Sequence, residues 1–195
     1  MEIQPLTVPE RRELLVHARA VLENRLAGAA QRPDPDPTAF PGLQIPRGAF
    51  VTLHLRGRLR GCIGTFRARE PLHRVVREMA LSAAFHDPRF RPVSSAELDG
   101  LELEISALTP LVEVQSIDEI VVGVHGLYIS RGYASGVLLP QVAVEYGWDR
   151  DEFLCRTCEK AGLPDDAWRN GATIERFSAE VFSESDLEGG KVTCK

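Results

Sequence analysis

The chain has 195 residues, a formal net charge of −5, and shares of hydrophobic residues (44%) and charged residues (26%) that are ordinary for a globular protein with a full core. No apolar run approaches the roughly 20 residues that span a bilayer, and residues 1–5 lack the basic region and apolar stretch of a secretory signal. We therefore expect a cytoplasmic protein without membrane contact, and the negative charge disfavours nucleic acid as a partner.

A capped helix opens the chain. Thr7 and Glu10 have the spacing of a capping box, in which a hydroxyl and a carboxylate each satisfy a free backbone donor. Apolar residues follow at helical spacing, and Gly28 marks the end of the helix. Three prolines within residues 32–37 then predict an extended surface loop, because proline fixes φ and removes a backbone donor.

A hairpin, a second helix and a regular strand come next. Residues 50–55 and 58–65 have the composition of two strands joined by a tight turn. Pro71 suits the first turn of a helix, and Pro88 ends that helix. Residues 101–107 alternate between apolar and polar side chains, which is typical of a half-buried strand.

The second half of the chain contains shorter elements. We expect strands at 120–124, 127–131, 136–139 and 174–182, helices at 140–146 and from Asp149 to about Gly162, and a polar tail at 183–195. Strands and helices do not alternate regularly along the chain. The sequence therefore predicts an α+β fold, an antiparallel β-sheet flanked by helices, in a single domain over residues 1–195.

The charges are unevenly distributed. Residues 47–77 contain eight arginines and one acid, which leaves +7, whereas residues 97–122 contain seven acids and no lysine or arginine. Side by side, two such segments focus an anionic ligand in a cleft. The alternative is that they pair with each other on the surface.

The segment LRGCIGTF at 59–66 is the most unusual stretch. Strand alternation places Arg60 and Cys62 on one face, where a nearby arginine favours the reactive thiolate. Its two glycines allow a ligand to approach the backbone closely. The alternative is structural, with Cys62 as a small buried apolar residue and the glycines at a bulge.

A second polar group occurs at the end of the second helix. His86, Asp87 and Arg89 lie within four residues, next to Pro88. An imidazole, a carboxylate and a guanidinium so close together suit acid–base chemistry or an anion clamp. The structural alternative is that His86 favours the helix dipole and Asp87 turns the chain.

The cysteines and histidines do not form a metal-binding motif. Cys155 and Cys158 lie inside a predicted helix, without a second pair to complete a zinc site. We expect them, with Cys62 and Cys194, to be reduced thiols. The histidines have no metal-ligand spacing either, so the sequence predicts neither a metal nor a cofactor.

Several motifs follow the order of one known family. They are LRGCIGTF at 59–66, HDPRFRPV at 86–93, LELEISALTP at 101–110, HGLYI at 125–129, LLPQVAVEYGW at 138–148 and KAGLPDDAW at 160–168. From about residue 48 to residue 182 the chain resembles AmmeMemoRadiSam system protein A, the family of the AMME-syndrome candidate region protein. The resemblance implies an α+β protein of two unequal lobes, with LRGCIGTF facing a cleft between them.

The resemblance also implies candidate site residues and partners. The catalytic candidates are Cys62, Arg60, His86, Asp87 and Glu104, and the ligand-binding candidates are Gly61, Gly64, Thr65, Arg89, Ser106 and Gln141. In prokaryotes this family is associated with a Memo-like protein and a radical SAM protein, which we expect as partners.

Two functions remain as hypotheses, one with catalysis and one without. In the first, the chain is component A of that system, its substrate-handling or catalytic subunit, and the catalytic candidates converge on one cleft that binds a small anionic or polar ligand. In the second, the chain is a non-catalytic binding or regulatory module that contacts RNA or protein through the basic segment 47–77.

Overall fold

The structure, a computed structural model, describes residues 4–66 and 69–188. It confirms the α+β class, since helices accompany two four-stranded antiparallel sheets within these residues. The helices are α1 (Val8–Ala27), α2 (Leu72–Phe85), α3 (Pro140–Tyr146), α4 (Arg150–Lys160) and α5 (Glu184–Glu188). The strands are β1 (Ala49–Leu55), β2 (Arg58–Thr65), β3 (Leu101–Leu108), β4 (Val112–Glu113), β5 (Gly126–Arg131), β6 (Ala134–Leu138), β7 (Thr173–Phe177) and β8 (Ala179–Ser183).

The chain divides into two compact units. The first unit runs to Leu108 and resumes at Glu180, and the second unit is Thr109–Ala179. The strand order is β2-β1-β3-β8 in one sheet and β4-β7-β5-β6 in the other. Each sheet packs in its own hydrophobic cluster. Among the described residues, no helix is both long and apolar enough to cross a membrane.

Local sequence signals place the main elements of the first unit correctly. The capping box of Thr7 and Glu10 is formed, and Gly28 ends α1 in the left-handed conformation, with a φ of 64°. The predicted hairpin is present as β1 and β2, and the predicted alternating strand as β3. Helix α2 follows Pro71 and ends at His86, as the two prolines predict.

Alternate residues of the first sheet form its core. Val51, Leu103 and Ile105 are fully buried in one cluster with Leu14 of α1 and Val76 of α2. Burying an apolar side chain of this size contributes about 1.5–3 kcal/mol. Because neighbouring side chains on a strand point to opposite faces, the core also fixes which residues lie on the other face. Those residues are half-buried.

A buried arginine, Arg47, binds the two points at which the chain leaves the first unit and returns to it. The Nε of Arg47 donates to the Leu108 carbonyl at 2.8 Å, and its Nη2 donates to the Glu180 carboxylate at 2.6 Å. Glu180 also accepts a hydrogen bond from Arg11 at 3.0 Å. Since only 2% of Arg47 is exposed, its charge depends on these partners for stabilisation.

The predicted strand at 120–124 is wrong. The N–H groups of Val124 and His125 both donate to the Val121 carbonyl, which closes a turn. Gly123 has a φ of 84°, a left-handed conformation that interrupts an extended backbone. The apolar run in the sequence reflects burial within the second unit, where Ile120 belongs to the core.

The predicted last strand, 174–182, is two strands in different sheets. Strand β7 belongs to the sheet of the second unit and β8 to the sheet of the first. Ser178 separates them, because its N–H donates to Thr109 Oγ1 and its carbonyl accepts the Thr109 N–H, each at 2.8 Å. In the predicted tail, Glu184–Glu188 forms α5, and residues 189–195 lie outside the described residues.

Candidate functional site

The candidate site lies on the face of the first sheet that points away from its core. We call this surface the polar face and define it by side chains from three adjacent strands in two rows. The first row is Cys62, Thr52 and Glu104, and the second row is Gly64, Phe50 and Ser106. All six residues are half-buried.

The first row brings a thiol, a hydroxyl and a carboxyl into register. Thr52 is the register partner of both Cys62 and Glu104, and its Oγ1 lies 3.3 Å from Cys62 Sγ. Adjacent strands are about 4.8 Å apart, so the backbones that carry Cys62 and Glu104 are separated by about 10 Å. A ligand lying across three strands can therefore contact all three groups at once.

Asp87 and Arg89 hold the sheet edge at Cys62. Strand β2 is an edge strand, and the N–H and carbonyl of Cys62 point outward from it. The Asp87 carboxylate accepts this N–H at 2.9 Å, and Arg89 Nη2 donates to this carbonyl at 3.1 Å. Arg89 also pairs with Asp87 at 2.7 Å. The two side chains satisfy backbone groups that an edge strand otherwise leaves unpaired.

The electrostatics of Asp87 agree with this positioning role. Hydrogen bonds from Arg89, followed by that from the Cys62 backbone, hold the pKa of Asp87 well below its usual range. The carboxyl is almost completely buried, whereas 55% of the Arg89 side chain is exposed. Asp87 therefore stays ionised and fixes the backbone of Cys62.

Glu104 has the opposite electrostatics. Burial is the largest cause of a raised pKa of this carboxyl, and the like charges of Glu102 and Asp186 add to it, while His54 opposes it. A carboxyl with a raised pKa keeps its proton at a higher pH than an ordinary glutamate does. Such a group suits proton donation to a ligand.

A bulge at Arg60 interrupts the strand alternation from which we predicted that Arg60 and Cys62 lie on one face. The register of β1 with β2 shifts between Leu53 and His54, because His54 pairs with Leu59, and Arg60 is the extra residue of this bulge. A bulge redirects a side chain and interrupts alternation. The guanidinium of Arg60 binds Glu97 at 2.7 Å and lowers the pKa of that carboxyl to about 2.

The remaining candidates are not members of the two rows. Gly61 faces α2, and a Cβ there would overlap the Ala83 carbonyl, so this glycine permits close helix–sheet packing. His86 is exposed at the C-cap of α2. Thr65 ends β2 opposite Ala49. Gln141 belongs to the second unit and is exposed on α3.

Sequence reasoning missed the contributions of β1. Thr52 and Phe50 lie in the centre of the two rows, and His54 is the register partner of Glu102 on the same face. The alternation within residues 50–55 carried the necessary signal, because Val51 and Leu53 identify the core face. A Cβ at Gly64 would overlap the Phe50 ring, so this glycine makes room for the aromatic side chain.

The described residues contain no group of three histidine, cysteine or carboxylate side chains placed to hold a metal ion. Cys158 is buried in the core of the second unit, and burial raises the pKa of its thiol. Cys155 and Cys62 are half-exposed free thiols, and Cys194 lies outside the described residues. Of the three described cysteines, Cys62 alone lies on the polar face.

Comparison with known proteins places this chain in one family. The sequence profile of the AMMECR1 family matches residues 15–182. A protein of Methanothermobacter thermautotrophicus is 47% identical over 193 residues, which cover 94% of this chain and 99% of that protein. A protein of Methanocaldococcus jannaschii is 44% identical and covers 94% of each chain.

A solved structure agrees with the fold. The crystal structure of the uncharacterized protein PH0010 from Pyrococcus horikoshii matches with a TM-score of 0.76 and 39% identity, over 92% of this chain and 93% of that chain. The class is thus an α+β protein with two antiparallel sheets. The chain belongs to the AMMECR1 family, which confirms the resemblance that its motifs indicate.

Proposed function

We propose that the chain is the substrate-handling component of a modification system that includes a Memo-like protein and a radical SAM protein. In this proposal it binds a small polar substrate on the polar face, where Cys62 and Glu104 contact the substrate. The observation that carries the proposal is the row of Cys62, Thr52 and Glu104. It combines a free thiol, a hydroxyl and a half-buried carboxyl on three adjacent strands of one sheet, a combination that suits binding and acid–base chemistry.

The other catalytic candidates have supporting roles in this proposal. Asp87 is a positioning residue, because it fixes the Cys62 backbone rather than facing a ligand directly. Arg60 holds the segment after α2 through Glu97 and the Pro92 carbonyl. His86 is exposed and adjacent to Asp87, so it is available to a ligand at the sheet edge.

Ion pairs argue against the alternative of a binding module that uses the basic segment 47–77. Arg47 is buried against Glu180, Arg60 binds Glu97, and Arg77 binds Asp34 at 3.0 Å. Paired guanidiniums offer little net charge to RNA or to an acidic protein. These three guanidiniums are therefore less available for docking than the charge of +7 of the segment predicts.

The test compares Cys62→Ser with Cys155→Ser, since both substitutions replace a half-exposed free thiol. Each variant is returned to a strain that lacks the gene, and its thermal unfolding is measured separately. We expect both proteins to fold with melting temperatures near that of the wild type. Only Cys155→Ser should restore the wild-type metabolite profile of the strain, which is the measure of function here. Restoration by Cys62→Ser would contradict the proposal. Thr52→Val tests the same row without altering a thiol.

A further inference from the structure

The polar face and its surroundings differ in charge. Glu102 and Glu104 are half-buried side chains of β3, and neither carboxylate has a hydrogen bond or ion pair within residues 4–66 and 69–188. The arginines at the margins are already bound, Arg89 by Asp87 and Arg60 by Glu97, each at 2.7 Å. The face thus presents two carboxyl groups that no arginine pairs with, and little unpaired positive charge.

The groups around these two carboxylates add more negative than positive charge. Asp186 at the start of α5 is a third acid whose charge reaches Glu104. His54 is a basic group whose charge acts on Glu104, and it lies opposite Glu102 in the register of β1 and β3. A single imidazole carries at most one positive charge, which does not balance three carboxylates.

An aromatic ring lies next to this charge. Phe50 occupies the row beside Thr52, between Gly64 and Ser106. Its ring packs edge-to-face against Phe66, with the ring centroids 4.8 Å apart. Aromatic rings attract organic cations as well as apolar groups. The polar face therefore combines carboxylates with an aromatic surface, in addition to the thiol and hydroxyl of Cys62 and Thr52.

We infer that the polar face binds a small organic cation, with an ammonium group against Glu102 and Glu104 and an apolar or aromatic body against Phe50. This inference rests on the proposed function, because it specifies the ligand of the same site. An anionic ligand would meet unpaired carboxylates instead of the guanidiniums that the sequence predicts.

Three probes of matched shape test the charge preference: 2-phenylethylamine, 2-phenylethanol and 3-phenylpropionate. Binding is followed by NMR titration, and slower alkylation of Cys62 by iodoacetamide in the presence of a probe reports binding at this face. We expect the amine to bind about tenfold more tightly than the alcohol, since a charged hydrogen bond contributes on this order. The carboxylate is expected to bind most weakly.

Two variants and a matched control locate the effect. Glu104→Gln and Glu102→Gln should each weaken binding of the amine about tenfold and leave binding of the alcohol unchanged. Glu23→Gln, at an exposed position of α1, should change neither. Nα-acetyl-lysine amide, tested in the same way, distinguishes a polypeptide lysine from a free small amine as the source of the ammonium group.

Three results would overturn the inference: carboxylate binding as tight as amine binding, no detectable amine binding, or amine binding that is unaffected in both glutamine variants. These outcomes are separate from failure of the proposed function. If Cys62→Ser fails to restore function while the amine does not bind, the site stands and the ligand class is wrong. If Cys62→Ser restores function, the proposed function fails whatever the probes show.

Discussion

Single residues at the edge of the first sheet determine how the polar face is held in place. Asp87 is buried, ionised and bonded to the backbone of Cys62, while Arg89 closes the same contact from solvent. Sequence reasoning selected both residues as candidates for acid–base or anion-binding chemistry. Their contacts indicate a structural role instead. The two side chains bind the backbone N–H and carbonyl that would otherwise be free to pair with a neighbouring strand.

Replacing Asp87 tests this role. Asp87→Asn keeps the size of the side chain but removes the charge that Arg89 pairs with, so we expect a loss of about 2 kcal/mol in the free energy of unfolding. This is less than the effect for a fully buried pair, because Arg89 is half-exposed. Urea unfolding at pH 7 measures the change, with the exposed Asp99→Asn as control. Equal stability of the two variants would show that the edge contact contributes little.

A buried histidine in α1 makes the free energy of unfolding depend on pH, independently of the candidate site. His17 is completely buried, and neither ring nitrogen has a hydrogen-bond partner among the described residues. Burial, with His73 as the next cause, lowers the pKa of His17 to about 4 from 6.5. The unfolded chain therefore binds a proton near pH 6.5, whereas the folded chain binds it only near pH 4.

The sign of the effect follows from that difference. The contribution of neutral His17 to the free energy of unfolding is complete above pH 6.5 and is lost as the pH falls toward 4, by about 3 kcal/mol in total. We expect His17→Leu to remove this part of the pH dependence, and the exposed His86→Leu to leave it in place. Urea unfolding between pH 7.5 and pH 4 checks the prediction, which an unchanged slope in His17→Leu would contradict.

At the scale of elements, β2 and α2 approach each other so closely that only glycine, which has no side chain, fits between them at the point of contact. A Cβ at Gly61 would overlap the carbonyl of Ala83 in the helix backbone. By contrast, the nearest atom to a Cβ at Gly100 would be the end of the Leu55 side chain, at 3.3 Å, which can move. The glycine in the LRGCIGTF segment that we expected to admit a ligand thus serves helix–sheet packing.

Gly61→Ala should therefore shift α2 and lower the free energy of unfolding by about 2 kcal/mol, as overpacking of a core typically does. Gly100→Ala, the matched control, should cost less than half as much. Thermal and urea unfolding of the two variants provide the measurement. If both substitutions are equally tolerated, α2 packs less tightly on β2 than the structure indicates.

Over the whole molecule, the sequence was most informative where local chemistry decides the structure. Caps, prolines and alternation predicted α1, α2, the hairpin and β3, because these signals act within a few residues. The break at Ser178 was not predictable in this way, since it depends on pairing with Thr109, 69 residues away. The same holds for the bulge at Arg60, which appears only when β2 is aligned with β1.

The candidate site shows the same division. Motifs identified Cys62, Glu104 and Ser106, and alternation placed Glu104 and Ser106 on one strand face. To place them on the same surface as Cys62 one must know the strand order β2-β1-β3. This order puts Thr52 between the thiol and the carboxyl. Strand order is a tertiary property, and a single sequence provides no direct signal for it.

The central claim is that the polar face handles the substrate of this protein. Its most direct test is the metabolite profile of a strain that lacks the gene and carries Glu104→Gln, compared with the same strain carrying Glu23→Gln. Both variants remove one negative charge, at a half-buried position of the polar face and at an exposed position of α1, respectively. We predict that Glu104→Gln retains the profile of the deletion strain and that Glu23→Gln restores the wild-type profile. A wild-type profile with Glu104→Gln would contradict the account.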